Sequence, residues 1–250
     1  MKLARFLYQG KEGFGTVEDG KIVVTQNQPE ICSGLLDTNF FSLSEVKLLP
    51  PVSPGKIVAV GLNYKMHSEE FGEAVPKEPK LFLKPPSAVI AHGEKIIRPQ
   101  SERVDYEAEL AVVIGKTCAK VPETEAEDYI LGYTCFNDVT ARDLQSIDGQ
   151  WTRAKGFDTF APIGPFIETD FKPAGQEIRL LLNGETKQKT NLNQMIFPVP
   201  FLISYISHVM TLMPGDVITT GTPSGVGPMQ TGDQVCVSID GVGELINTVL

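Results

Sequence analysis

The stretch Val104-Asp105-Tyr106-Glu107-Ala108-Glu109-Leu110-Ala111-Val112-Val113-Ile114-Gly115 constrains this chain more than any other. Five apolar residues in unbroken series, closed by glycine, read as a strand covered on both faces. Strand side chains alternate, so Glu107 and Glu109 share one face, with Cβ atoms about 6–7 Å apart, while Tyr106, Ala108 and Leu110 share the other. A solvent-facing edge is the plain account of a lone Glu-x-Glu. Here the pair runs straight into a two-sided core, and carboxylates entering such an interior must be neutralised. Dry like charges at that distance repel by about several kcal/mol, so either a pKa rises or a cation sits between them.

A hard divalent ion in an oxygen shell meets that requirement, and Mg²⁺ uses a few carboxylates together with waters and substrate oxygens. Asp138, in Phe136-Asn137-Asp138-Val139-Thr140-Ala141-Arg142-Asp143, offers a third ligand. It also stands at the start of a helical pattern, so ligand and helix N-cap are both open to it.

A second constellation is Gly61-Leu62-Asn63-Tyr64-Lys65-Met66-His67-Ser68-Glu69-Glu70. On a helix His67 and Glu70 are three apart and can touch, which gives either a surface ion pair or a base with its orienting carboxylate. Gly72, Pro76 and Pro79 follow, as in a flap able to close over a site. Further on, Gly221-Thr222-Pro223-Ser224-Gly225-Val226-Gly227 follows a strand-like run but is no nucleotide loop. It lacks Gly-Lys-Ser/Thr, and Pro228 and Gly232 stand where a helix is needed. A turn between strands remains, or a cradle in which Thr222 and nearby backbone N–H groups hold one ligand carboxylate.

The 250 residues carry 31 Asp and Glu against 22 Lys and Arg, a net charge of −9. That field disfavours nucleic acid and anionic membrane surfaces as partners and leaves small molecules or metals. The uncharged stretch around His208 is broken by Pro198, Pro200 and Pro214. About a dozen helical residues remain, 201–212, against the ~20 that a bilayer needs, so a buried helix is expected and no membrane span. Cys32, Cys118, Cys135 and Cys236 show no CxxC spacing and read as reduced thiols. With no signal-type apolar stretch at the N-terminus, a cytoplasmic protein is expected.

Apolar runs at 3–8, 13–17 and 21–25 predict a small β meander, and Leu49-Pro50-Pro51-Val52-Ser53-Pro54-Gly55 reads as a boundary between a small N-terminal β domain, 1–53, and the remainder, 54–250. Beyond it, strands are predicted at 56–60, 80–84, 107–114, 178–183, 216–220, 234–239 and 244–249, and helices at 64–71, 123–129, 139–148 and 201–212. Without regular βαβ alternation this is an α+β, β-rich chain rather than a doubly wound sheet.

These motifs, with Lys84-Pro85-Pro86-Ser87, Leu144-Gln145, Lys155-Gly156-Phe157-Asp158 and Thr220, together resemble the fumarylacetoacetate hydrolase family from about Pro54 to Leu250. The resemblance implies a mixed β-sheet roll or barrel, a homodimer, and Mg²⁺ or Mn²⁺ held by Glu107, Glu109 and Asp138. It implies that His67 and Glu70 form a water-activating dyad on a lid, that Lys155 joins the catalytic set, and that Arg142, Gln145, Thr222 and Tyr64 meet the substrate. The substrates implied are small 2-oxo or enolisable dicarboxylic acids. They undergo C–C hydrolysis of acylpyruvate or fumarylpyruvate type, oxaloacetate-type decarboxylation, or isomerisation and tautomerisation of 2-hydroxyhepta-2,4-diene-1,7-dioate or oxaloacetate type. The segment 1–53 resembles the small leading domain of bacterial members. From another class, a metal-binding protein without turnover is disfavoured by the dyad and three carboxylates occurring together.

Overall fold

The strand-rich pattern resolves into mixed sheets in a computed structural model that describes residues 1–25, 40–66 and 74–250. The N-terminal segment supplies β1 (Lys2–Tyr8), β2 (Lys11–Glu18), β3 (Lys21–Val24), β4 (Phe40–Ser42) and β5 (Lys47–Leu48). Alternation sends Ala4, Phe6, Ile22 and Phe41 into a cluster of their own. The segment is nevertheless stitched to the rest of the chain, because β1 pairs antiparallel with β14 (Ala161–Glu168) at Lys2–Glu168 and Leu3–Ile167.

The remaining strands are β6 (Ile57–Gly61), β7 (Lys80–Lys84), β8 (Val89–Ile90), β9 (Lys95–Ile96), β10 (Val104–Tyr106), β11 (Ala108–Ile114), β12 (Ile130–Asn137), β13 (Thr140–Ala141), β15 (Glu177–Leu182), β16 (Glu185–Asn191), β17 (Val217–Thr219), β18 (Gly227–Pro228), β19 (Gln234–Ile239) and β20 (Gly243–Val249). The large sheet runs β4-β3-β2-β1-β14-β12-β11-β17-β6-β7, and a second runs β16-β15-β19-β20-β9. A small third sheet runs β13-β10-β18. The sheets stay open, so the family's roll applies and the barrel alternative does not.

The strand β11 behaves as its sequence demands. Every residue from Ala108 to Ile114 is buried. Leu110, Val112 and Ile114 join the core shared with Ile178, Leu180, Val235 and Val237 of the second sheet, whereas Ala111 and Val113 join a cluster on the opposite face with Ile57, Phe136 and Ile163. At about 1.5–3 kcal/mol per fully buried aliphatic side chain, this strand is a principal anchor of the fold.

Three expectations change. The helix expected at 201–212 spans Val199–Val209 and buries only the face carrying Val199, Leu202, Ile203, Ile206 and Ser207. The helix expected at 139–148 begins at Arg142, after β13, and runs to Asp148. The segment Glu123–Tyr129 is a 3-10 helix. Strands β12, β14 and β16 were not anticipated: β14 contains Pro162, Gly164 and Pro165, residue types uncommon within strands, and β16 is polar throughout. No helix among the described residues is long and apolar enough to cross a membrane. Cys118, Cys135 and Cys236 are free thiols, and Cys32 lies outside the described residues.

Candidate active site

The site forms where one strand changes sheets. Between β10 and β11 the chain leaves the small sheet for the large one, and the switch falls at Glu107. The two backbone donors at the switch are taken up by side chains: Glu107 N–H donates to Asn137 Oδ1 at 2.9 Å, and Ala108 N–H to Gln188 Oε1 at 2.9 Å. Asp138 N–H in turn donates to Glu107 C=O at 2.9 Å, bringing the residue after β12 against the switch. Glu107, Glu109 and Asp138 are thereby gathered, each buried, with one carboxylate oxygen apiece within 4.8 Å of the other two. Asp138 is no helix cap: the residue in that place is Ala141, which makes no side-chain capping bond.

Cations pack around two of these three carboxylates. Lys155, in the short helix Thr152–Lys155, donates to Glu107 Oε2 at 2.8 Å and to Asp138 Oδ2 at 2.6 Å. Lys84, at the end of β7, donates to Asp138 Oδ1 at 2.5 Å and to Val139 C=O at 3.2 Å. Arg142 spans Asp105 Oδ2 through Nε at 2.9 Å, Gln145 Oε1 through Nη1 at 2.7 Å and Glu107 Oε1 through Nη2 at 2.5 Å. Burial alone would depress the Lys155 pKa, but Asp138 and Glu107 outweigh it and hold the ammonium above its ordinary value. For Lys84 burial prevails over the attraction of Asp138, and Lys155 adds repulsion, so its pKa falls.

Glu109 differs. No ion pair among the described residues involves it, and its Oε2 accepts a single backbone bond, from Gly221 N–H at 2.8 Å. Burial, then the charges of Asp138 and Glu107, push its pKa well above the carboxylate range, against smaller opposing effects of Lys155 and the Gly221 N–H. Asp105, Glu107 and Asp138 each pair with one or more of Arg103, Arg142, Lys84 and Lys155, and Glu109 pairs with none of them. A buried carboxylate without an ion-pair partner, within an all-oxygen set, is what a hard divalent cation fits.

Against Glu109 stands a neutral wall, the 220–226 loop between β17 and β18. Asn63 Nδ2 donates to Thr220 C=O at 2.7 Å and Phe197 C=O at 3.1 Å, and its Oδ1 accepts from Phe197 N–H at 2.7 Å. Gly221 adopts φ +88 and would place a Cβ 2.8 Å from the Cβ of Asn63, while Gly225, at φ +96, would place one 2.4 Å from Lys187 C=O. Only glycine lets the loop pass so close to both neighbours. The anticipated cradle is therefore partly committed already, since the Gly221 N–H serves Glu109, and Thr222 faces the cleft.

The cleft, about 230 Å³, is lined by Glu107, Glu109, Asp138, Arg142, Gln145, Lys155 and Thr222 together with apolar Val60, Leu62, Phe82 and Trp151. That is below the ~300–1,000 Å³ of sites for drug-sized ligands and suits a small acid. Its apolar side is ordered by the edge-on packing of Phe82 and Trp151, and Lys155 Nζ lies 5.1 Å from the Phe82 ring centre. Seven sequence-predicted residues thus converge. Tyr64 does not line this cleft: it is buried and paired in a β-bridge with Met195, and burial and then Glu109 raise its pKa. His67 and Glu70 lie outside the described residues. Sequence reasoning missed Asp105, which shares the face of Glu107 and Glu109 by period 2 and could have been found. It also missed the contacts of Lys84, Asn63 and Gln188, for which no local pattern exists.

Comparison with known proteins places this geometry in context. The model described as fumarylacetoacetate (FAA) hydrolase C-terminal matches residues 56–250, and that described as Rv2993c-like, N-terminal, matches residues 1–51. Oxaloacetate tautomerase FAHD1, mitochondrial, of Arabidopsis thaliana is 48% identical over 197 residues, covering 76% of this chain and 88% of that protein. A crystal structure of 2-hydroxyhepta-2,4-diene-1,7-dioate isomerase from Mycobacterium marinum matches with TM-score 0.91 at 41% identity, over 100% of this chain and 98% of that one. Maleylpyruvate hydrolase from Sphingobium sp. SYK-6, crystallised with manganese(II) and pyruvate, matches with TM-score 0.83 at 32% identity, over 100% and 99%.

Proposed function

Because the chain belongs to the fumarylacetoacetate hydrolase family, we propose that it is a divalent-metal-dependent enzyme acting on small 2-oxo or enolisable dicarboxylic acids, by C–C bond hydrolysis or oxaloacetate-type decarboxylation. The observation that carries this reading is the buried Glu107, Glu109 and Asp138 set, with Glu109 lacking a cation, at the base of a small cleft that also presents Lys155, Arg142 and Thr222. Those three carboxylates would hold Mg²⁺ or Mn²⁺. A bound ion of this kind supplies Lewis-acid stabilisation of charge that develops on a keto oxygen.

The chain's own groups do the rest. The ammonium of Lys155 and the guanidinium of Arg142 attract the substrate carboxylate and offset negative charge in a site from which Phe82, Trp151, Val60 and Leu62 exclude water. The Thr222 hydroxyl donates to an anionic oxygen. For hydrolysis, His67 accepts a proton from the attacking water and Glu70 stabilises the imidazolium. The Arabidopsis tautomerase and the M. marinum isomerase, both more similar to this chain than the Sphingobium hydrolase, favour a second reading, isomerase or tautomerase, in which the same dyad moves a substrate proton. Residues 1–53 as a separate N-terminal unit, a homodimer and a cytoplasmic location belong to the same proposal.

A ligand that binds only the native state raises its stability. Melting in EDTA, in Mg²⁺ and in Mg²⁺ with oxalate is expected to give stepwise increases in Tm, and the absence of a Mg²⁺-dependent oxalate step sinks the reading. Product analysis with oxaloacetate, acetylpyruvate, fumarylpyruvate and a 2-hydroxymuconate-type diacid then separates hydrolase, decarboxylase and tautomerase. His67→Ala is expected to abolish hydrolysis while sparing metal binding.

A further inference from the structure

The hydrogen bonds that reach Thr222 run in one direction. Gln188, in the polar strand β16, is 1% exposed, and its amide makes three bonds: Oε1 accepts from Ala108 N–H at 2.9 Å, and Nε2 donates to Thr222 Oγ1 at 2.9 Å and to Pro223 C=O at 2.7 Å. A backbone N–H can only donate and a backbone carbonyl can only accept. The amide therefore has one permitted orientation, both of its protons are committed, and the one facing Thr222 makes that hydroxyl the acceptor. A hydroxyl that accepts still has its own proton to give. Thr222 lines the cleft, and its hydroxyl makes no other hydrogen bond among the described residues.

We propose that Gln188 is a positioning residue that occupies one lone pair of the Thr222 hydroxyl and thereby biases it to donate into the cleft, so that this wall favours a ligand oxygen that only accepts, such as a carboxylate or enolate oxygen, over an amide nitrogen at the same place. The relay starts at Ala108, between Glu107 and Glu109, so the strand that carries two of the carboxylates also sets the donor that faces their ligand. Specificity then comes from a mismatch as well as a match, because an N–H presented to Thr222 finds one lone pair already taken by Gln188 and leaves the hydroxyl proton without an acceptor on the ligand. The inference rests on the proposed function, since it presumes an anionic ligand in this cleft.

The test is calorimetric titration of oxalate and of oxamate, in which an amide replaces one carboxylate, onto the full chain in saturating Mg²⁺, with Mn²⁺ affinity measured alongside. Wild type is expected to prefer oxalate. Gln188→Glu cannot donate when ionised and instead draws the Thr222 proton to itself, which turns the hydroxyl's lone pairs to the cleft. That variant and Thr222→Val are each expected to weaken oxalate by about tenfold and to compress the oxalate-to-oxamate ratio by a similar factor, with Mn²⁺ affinity within about twofold of wild type. The double variant loses no more than either single one, Thr222→Ser stays near wild type, and Gln188→Met provides a neutral variant with an intermediate ratio should the glutamate prevent folding. Equal weakening of oxalate and oxamate in the Gln188 variants, or losses that multiply in the double variant, overturns the inference while leaving the proposed function standing. Failure of wild type to bind oxalate in Mg²⁺ overturns both.

Discussion

Around Glu107 and Asp138 the cleft is built from opposite charges, whereas around Glu109 and Thr222 it is built from neutral hydrogen bonds. On the first side Lys84, Lys155 and Arg142 contribute donors to carboxylates that are nearly inaccessible to water. On the second, Asn63, Gln188 and the Gly221 N–H satisfy their neighbours without any ionised donor. The two walls differ in what a lost partner costs. A buried ion pair adds little net stability over an apolar packing, but an orphaned member of one is expensive, whereas a neutral network loses about 1–3 kcal/mol per unsatisfied group. The charged wall should therefore govern folding, and the neutral wall should govern where a metal or proton goes.

Asp138→Asn is the severest way to break this contrast. It leaves Lys84 with neutral acceptors alone, an amide oxygen and the Val139 carbonyl, and removes one of the two carboxylates of Lys155. The expected cost is about 3–5 kcal/mol, which for a chain of this size lowers Tm by roughly 10 °C in EDTA. A loss no greater than that of an exposed substitution would show that the ammonium groups are not held by Asp138.

Glu109→Gln tests the other wall. Its carboxyl already favours the neutral form through burial and the neighbouring acids, and an amide oxygen can still accept from Gly221 N–H. The EDTA-treated variant is therefore expected to melt no lower than wild type. Mn²⁺ affinity, by calorimetry, is expected to fall by about 100-fold or more, because an anionic ligand has become neutral. Unchanged affinity would remove Glu109 from the ligand set.

The same residue predicts a pH dependence. An unfolded Glu titrates near pH 4.3, and Glu109 in the fold titrates well above that, so in the intervening window the native state binds more protons than the unfolded one. Stability contributed by this group is present in full at low pH and is lost as pH rises through the folded value. Burial, and then repulsion from Lys155, outweigh Asp138 at Lys84 and give an opposite slope at the alkaline end. Subtracting the Glu109→Gln melting curve removes it. In EDTA the wild-type Tm is expected to fall relative to the variant as pH rises above the ordinary carboxylate range, and in Mg²⁺ to rise, since a metal ligand must shed its proton. A difference curve that is flat in EDTA would mean that Glu109 titrates normally.

The legible and illegible parts of this molecule divide along the same line. Glu107 and Glu109 could be read because strand periodicity fixes which neighbours share a face, and the Leu110 to Ile114 run shows that the face is buried. Asp138, Arg142, Gln145 and Lys155 came from motifs within one stretch, and the structure gathers them because the chain from β12 to the Thr152–Lys155 helix folds back on β11. The neutral wall has no such signature. Gln188 is the buried residue within β16, Glu-Thr-Lys-Gln-Lys-Thr-Asn, whose polar composition hides a strand whose middle faces inward. Its partners lie 80, 34 and 35 residues away in sequence and Asn63's lie 134 and 157 away, so each bond depends on a register that the tertiary fold establishes. β14 was concealed for a different reason: prolines that signal loops elsewhere are accommodated here within a strand that pairs with β12 and β1.

Arg103→Ala is the smallest and most discriminating step. Asp105 is fully buried and has two arginine partners, Arg142 Nε at 2.9 Å and Arg103 Nε at 2.7 Å, yet the Arg142 side chain is 15% exposed and that of Arg103 is 48% exposed. If charge count alone mattered, the two would be equivalent. Solvent screening and side-chain entropy reduce a half-exposed pair to about 1 kcal/mol or less, while the partly desolvated Arg142 keeps Asp105 neutralised and remains fixed on Glu107 and Gln145. The variant is expected to lose about 2–4 °C in Tm at most and to bind Mn²⁺ and oxalate as wild type does. Weakened oxalate binding, with metal affinity intact, would instead mean that Arg103 sets the position of the Arg142 guanidinium, and the charged wall would then extend one layer further toward solvent than its burial indicates.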